Sequence, residues 1–123
     1  MCVLLVEDDD LIRELMSEML RDAGYEVVET PDGVHALQVI EGRHHQFCAL
    51  LTDYHMPGNV DGAAVAEAAR RAFPGIPVII ASGRPDVLRA EWRRERGYRF
   101  LEKPYLPSEL LRVMKSLLDS SPS

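Results

Sequence analysis

Apolar β-formers and apolar residues at helical spacing take turns along the chain. Val3, Leu4, Leu5 and Val6 run unbroken into Glu7, Asp8, Asp9 and Asp10. This is the pattern of a strand covered on both faces in a parallel sheet, with its acids at the C-terminal end. Leu11, Ile12, Leu15, Met16, Met19 and Leu20 then recur at helical spacing, with Asp9 or Asp10 available as N-cap and Gly24 as the stop. The alternation predicts further strands over 26–29, 48–53, 76–81 and 98–102. Helices fill the intervals, bounded by Asp32-Gly33 and Gly42, by Asp61 and Pro74-Gly75, by Pro85 and Gly97, and lastly by Pro107, which suits a first helical position. The interval from Pro85 to Gly97 carries the thinnest apolar stripe, with Val87, Leu88 and Trp92 standing among Arg89, Arg93, Arg94, Glu95 and Arg96. Five strand-helix units of this kind imply right-handed crossovers and an open α/β parallel sheet with helices on both faces.

At 123 residues, 46% hydrophobic and 28% charged, the chain has the size of one domain. Folding at this size buries roughly two thirds of the unfolded surface, so no metal or disulfide staple is needed. Residues 1–118 are expected to form that domain, and Asp119 to Ser123 a tail or the start of a linker. A net charge of −6 argues against general nucleic-acid binding. Cys2 and Cys48 lie in separate apolar runs without metal-ligand spacing, which fits reduced thiols and a cytoplasmic location. The first apolar run is too short for a signal sequence or a membrane span. His35, His44, His45 and His55 lack the spacing of a zinc cage.

Ligands of open α/β sheets bind beyond the carboxyl ends of the strands. That rule collects Glu7-Asp8, Asp53, Ala81-Ser82 and Glu102-Lys103-Pro104 on one edge. Taken in order, Val6-Glu7-Asp8, the run Asp53-Tyr54-His55-Met56-Pro57-Gly58, Ser82 and Lys103-Pro104 resemble the signature of two-component response-regulator receiver domains. The resemblance implies a flavodoxin-like, five-stranded sheet of order 2-1-3-4-5 with five helices. It implies Mg²⁺-dependent phosphorylation of Asp53 by the phosphohistidine of a sensor histidine kinase or phosphotransfer protein. A receiver catalyses its own phosphorylation and dephosphorylation and is not a conventional enzyme. The resemblance also implies a switch on the fourth-helix to fifth-helix face, which would meet a downstream protein or a second copy of the chain.

The residue types suit that chemistry. Two carboxylate charges about 4 Å apart repel by about 1 kcal/mol in water and about 4 kcal/mol at an effective dielectric near 20, so a cluster of Glu7, Asp8 and Asp53 needs an offset. Magnesium is held by one or two carboxylates together with phosphate oxygens and waters. Asp8 and Asp53 are the expected direct ligands and Glu7 acts through water, while the family pattern adds the backbone carbonyl of His55. Asp53 is the nucleophile; Lys103 and Ser82 serve the phosphoryl oxygens, with lysine as a compact point charge.

The chain departs from the pattern in places. The family's switch aromatic falls on Phe100, three residues before Lys103; without a hydroxyl it can act only sterically, or it is ordinary strand packing. The Met56-Pro57-Gly58-Asn59-Val60-Asp61-Gly62 run is one residue longer than usual and resembles receivers of hybrid histidine kinases. His55 and Arg84 flank the mouth of the site in the family, where they would tune water access. Two rivals are a degenerate receiver that only binds proteins and an aspartyl-nucleophile phosphatase. The first is opposed by the intact acid, serine and lysine set, and the second by His55, which stands where such a phosphatase places a second Asp. No DNA-binding helix follows Leu118, so action through other proteins is expected.

Overall fold

The first apolar run forms β1 (Cys2–Val6), which is buried along its whole length. The computed structural model describes residues 1–42, 46–84 and 97–119. Asp9 caps α1 (Asp10–Asp22), accepting the Ile12 N–H at 3.0 Å, which settles the choice between Asp9 and Asp10. Beyond Ala23 the chain turns at Gly24, whose φ of +100° glycine adopts freely. There follow β2 (Glu26–Thr30), α2 (Gly33–Gly42), β3 (Phe47–Asp53), α3 (Gly62–Ala72), β4 (Val78–Ser82), β5 (Arg99–Glu102) and α4 (Pro107–Asp119). Asp32 accepts the His35 N–H and Asp61 the Ala64 N–H, so each loop aspartate satisfies an otherwise free donor at a helix start. The helix expected between Pro85 and Gly97, with its arginines, lies outside the described residues, as do His44, His45 and residues 120–123. Helix α4 runs to Asp119, one residue past the predicted end of the domain.

All pairings are parallel and the order is β2-β1-β3-β4-β5. Strand β4 starts at Val78, later than the apolar run suggests. Pro77 has no N–H to give the ladder, though its carbonyl accepts the Leu50 N–H at 2.9 Å. Two apolar layers sandwich the sheet. Leu4, Val6, Leu50 and Ile80 pack against Ala36 and Ile40 of α2 and Val65 and Ala69 of α3. Val3, Leu5, Leu51 and Ile79 pack against Met16 and Leu20 of α1 and Leu110 and Met114 of α4.

Helix α1 meets the sheet with only part of its apolar stripe. Its buried residues are Met16, Ser17 and Leu20, whereas Leu11, Ile12 and Leu15 are 65%, 41% and 56% exposed. The apolar stripe of α1 is wider than the face the sheet covers. No described helix is long and apolar enough to cross a membrane.

Candidate functional site

Strand parity decides which side chains meet. Val3 and Leu5, Ala49 and Leu51, and Leu101 face the α1 and α4 layer. Two positions further along each strand, the same alternation brings Glu7, Asp53 and Lys103 to that side of the sheet's C-terminal edge. The contacts follow: Lys103 Nζ lies 2.6 Å from Asp53 Oδ1 and 3.7 Å from Glu7 Oε2. Glu7 and Asp53 are 2% and 3% exposed, while Asp8 is open to solvent. One carboxylate oxygen from each of Glu7, Asp8 and Asp53 lies within 4.8 Å of the other two.

Three carboxylates thus face one ammonium. Burial pushes the Glu7 carboxyl up to about 8, helped by the hydrogen bond a proton on it makes to Asp53 and by the Asp53 charge; Lys103 and the Asp9 N–H pull the other way. For Lys103, burial alone would lower the pKa. The hydrogen bond to Asp53 and the charges of Asp53, Glu7 and Asp8 outweigh it and hold the ammonium above its ordinary value. Asp53 Oδ2 is buried and accepts no hydrogen bond. This donor set contains carboxylate oxygen only, with one buried oxygen unpartnered and negative charge in excess, and it suits a small hard divalent cation such as Mg²⁺.

The backbone fixes the rest of the edge. Asp53 pairs with Ala81, and the Tyr54 N–H donates to the Ala81 carbonyl at 3.0 Å. Ser82, buried, pairs with Glu102; its carbonyl accepts the Lys103 N–H at 2.9 Å and its Oγ the Arg84 N–H at 3.1 Å. Phe100 lies opposite Ile80 and packs half-buried on the α2 and α3 side, across the sheet from Lys103. The His55 ring is exposed, edge-on to Tyr54 at 4.8 Å, and its imidazole is not a member of the acid cluster. Gly62 donates its N–H to the Tyr54 carbonyl at 2.8 Å and sits so close to β3 that a Cβ would run into the Asp53 carbonyl oxygen.

Sequence reasoning passed over two residues here. Arg13 donates from Nη1 to the Glu7 carbonyl at 2.8 Å and from Nη2 to Asp10 at 2.7 Å. A basic residue one turn into the helix after an acidic strand end was the available signal, because helical side chains lean toward the N-terminus. Tyr105 donates its O–H to Met16 Sδ at 3.3 Å, and burial together with the charges of Asp53 and Glu7 pushes its phenol well above the ordinary value. Beside it an apolar groove of about 420 Å³ runs between Ile12, Leu15 and Met19 of α1 and the Lys103–Pro107 segment.

Residues 3–115 match the family model of the response regulator receiver domain. An uncharacterized transcriptional regulatory protein of Bacillus subtilis (strain 168), YbdJ, is 32% identical over 117 residues, covering 95% of this chain and 50% of that protein. Sensor kinase CckA of Brucella abortus (strain 2308) is 31% identical over 118 residues, covering 95% of this chain and 12% of that one. The chain therefore spans half or less of these two proteins. A crystal structure of the receiver domain from hybrid histidine kinase CckA superposes with a TM-score of 0.81 at 34% identity, covering 96% of this chain and 99% of that one. With its sheet order, its acidic edge and the match over nearly its full length, the chain belongs to the response regulator receiver domain family.

Proposed function

We propose that the chain accepts a phosphoryl group on Asp53 from the phosphohistidine of a sensor histidine kinase or phosphotransfer protein, in the cytoplasm, and signals by a change of surface. The observation that carries this reading is the Asp53 carboxylate, buried, with Oδ1 held by Lys103 at 2.6 Å and Oδ2 without a hydrogen-bond partner. A buried oxygen with free lone pairs is costly to keep and is what a nucleophile requires.

In the step, an Asp53 oxygen attacks phosphorus in line with the P–N bond. The O–P bond forms, the P–N pair returns to the imidazole, and that nitrogen takes a proton from solvent. Lys103, kept charged by its anionic neighbours, neutralises a phosphoryl oxygen. The Ser82 hydroxyl already accepts from the Arg84 N–H and has its own hydrogen to offer another. Asp8 and Asp53 would hold Mg²⁺ directly, Glu7 through water, and the His55 carbonyl as the family resemblance implies. When bound, the ion supplies charge neutralisation for the phosphoryl oxygens. Water attack on phospho-Asp53 reverses the modification, with His55 and Arg84 governing access.

A protein donor must bring its phosphohistidine to this edge, and the apolar groove between α1 and the Lys103–Pro107 segment adjoins the route. Output rests on the Ser82 hydroxyl engaging the phosphoryl group and on Phe100 repacking, a purely steric response. It would be read by a downstream protein or a second copy at the fourth-helix to fifth-helix face of the family pattern.

Incubation with acetyl phosphate and Mg²⁺ followed by intact mass measurement tests the reading. The parent should gain one phosphoryl group and D53A none. A parent that gains nothing, or a D53A that gains as much, overturns it.

A further inference from the structure

The acid cluster depends on a strand-to-helix junction only three residues long, held by hydrogen bonds on either side of Asp8. The Glu7 N–H donates to the Thr30 carbonyl at 3.1 Å, and the Asp9 N–H reaches Glu7 Oε1 at 3.3 Å. Asp9 is itself fixed as the α1 cap, accepting the Ile12 N–H. The Asp9 carbonyl accepts the Arg13 N–H at 2.9 Å, and the Glu7 carbonyl, at the peptide that leads into Asp8, accepts from Arg13 Nη1 at 2.8 Å. The other arm of the fork is committed to Asp10 at 2.7 Å, and the Arg13 side chain is only 18% exposed. Asp8, by contrast, is exposed.

We infer that Arg13 is a positioning residue of the cation site: by clamping the Glu7 carbonyl to the first turn of α1, it fixes the peptide from which the Asp8 carboxylate projects toward Glu7 and Asp53. The inference rests on the Mg²⁺ reading above. It makes a prediction of unusual sign. As a mere charge, Arg13 repels a divalent cation, and its removal would tighten binding. As a clamp, its removal weakens binding, as loss of groups that orient metal ligands does.

Calorimetric titration of Mg²⁺ into the parent, R13Q and R13K, with melting of each metal-free protein alongside, separates these cases. The clamp predicts about tenfold weaker binding in R13Q. It also predicts weaker binding in R13K, which keeps the charge but cannot span the carbonyl and Asp10 together. Binding by R13Q as tight as the parent's, or tighter, overturns the inference, whatever its melting point does; a purely structural role would lower the melting point and leave affinity alone. Should R13Q fail to fold, R13K decides: severalfold weaker binding supports the clamp, and affinity within about twofold of the parent overturns it. A parent that binds no Mg²⁺ overturns the cation reading itself, a distinguishable failure.

Discussion

Lys103 Nζ lies 2.6 Å from Asp53 Oδ1, so that one ammonium joins the ends of β3 and β5 across the intervening β4. The pair does more than tie strands together. Its ammonium is the local counter-charge to the buried Asp53, beside which Glu7, pushed up to about 8, keeps its proton near neutral pH. Lys103→Met keeps the aliphatic stem and deletes the charge. Breaking a buried pair is strongly destabilising, but the Lys103 side chain is 35% exposed and its charge partly screened, so a loss of about 1–3 kcal/mol is expected in chelator. Urea unfolding measures it, and Mg²⁺ should restore part of the loss. A variant as stable as the parent would show that the carboxylates need no such counter-charge.

Glu7 imposes a pH dependence on the metal-free protein. Burial, the hydrogen bond to Asp53 and the Asp53 charge raise its carboxyl from 4.5 to about 8. A group whose folded value lies above its unfolded value contributes stability that is full below the unfolded value and is lost as pH rises through the folded one. Stability in chelator should therefore fall between roughly pH 5 and pH 8, the unfolded chain giving up a proton that the folded chain retains. Lys103, also raised, acts only above its ordinary 10.5, outside this window. Urea midpoints across the range test the effect. Glu7→Gln should flatten the slope, and an unchanged slope in that variant would assign the titration to another group.

Much of this edge could be read from residue order. Apolar, β-forming runs leading into Glu7 and Asp53 point to parallel strands, and strand parity then requires Glu7, Asp53 and Lys103 to share a side. Asp32 and Asp61 mark helix starts by type and place, whereas the choice between Asp9 and Asp10 as the α1 cap needed the geometry. What covers a stripe could not be read so directly. Leu11, Ile12 and Leu15 continue the apolar period of α1, yet periodicity reports a face and not its neighbour, and these residues lie on the surface. The place of Arg13, one turn into the helix, allows it to reach back, but which carbonyl it meets depends on the path of the backbone from β1 into α1.

Gly62 offers a test of how tightly β3, the strand that carries Asp53, is seated. Its missing Cβ would meet the Asp53 carbonyl oxygen and the Tyr54 Cα, both backbone, so neither can rotate aside. Gly62→Ala is expected to cost about 1–3 kcal/mol, the range for forced overpacking. The N–H bond to the Tyr54 carbonyl should be strained along with it. A shift of the melting midpoint reads the cost. Full stability in the variant would mean that α3 can withdraw from β3 without penalty.

Binding of Mg²⁺ should stabilise the parent by linkage, by about 2.7 kcal/mol at a hundredfold excess over the dissociation constant. Asp8→Asn removes the exposed member of the cluster while sparing the buried pair. Its metal-free stability should match or exceed the parent's, because one like charge leaves the cluster. Its response to Mg²⁺ should largely vanish. Thermal melts with and without the ion measure both, and an undiminished Mg²⁺ response in Asp8→Asn would place the cation elsewhere.

The exposed apolar residues of α1 allow docking to be separated from chemistry. Leu15 is 56% exposed and lines the groove next to Lys103 and Tyr105, so it can take a charge with little effect on folding. Leu15→Glu should change stability by no more than about 0.5 kcal/mol. If a donor protein seats in the groove, the buried charge there should slow phosphoryl transfer from phosphohistidine by about tenfold or more, equivalent to about 1.4 kcal/mol. Acetyl phosphate needs no docking surface, and its rate of labelling Asp53 should be untouched. Equal slowing with both donors would locate the defect at the site itself, and no slowing with either would place the donor's contact away from α1.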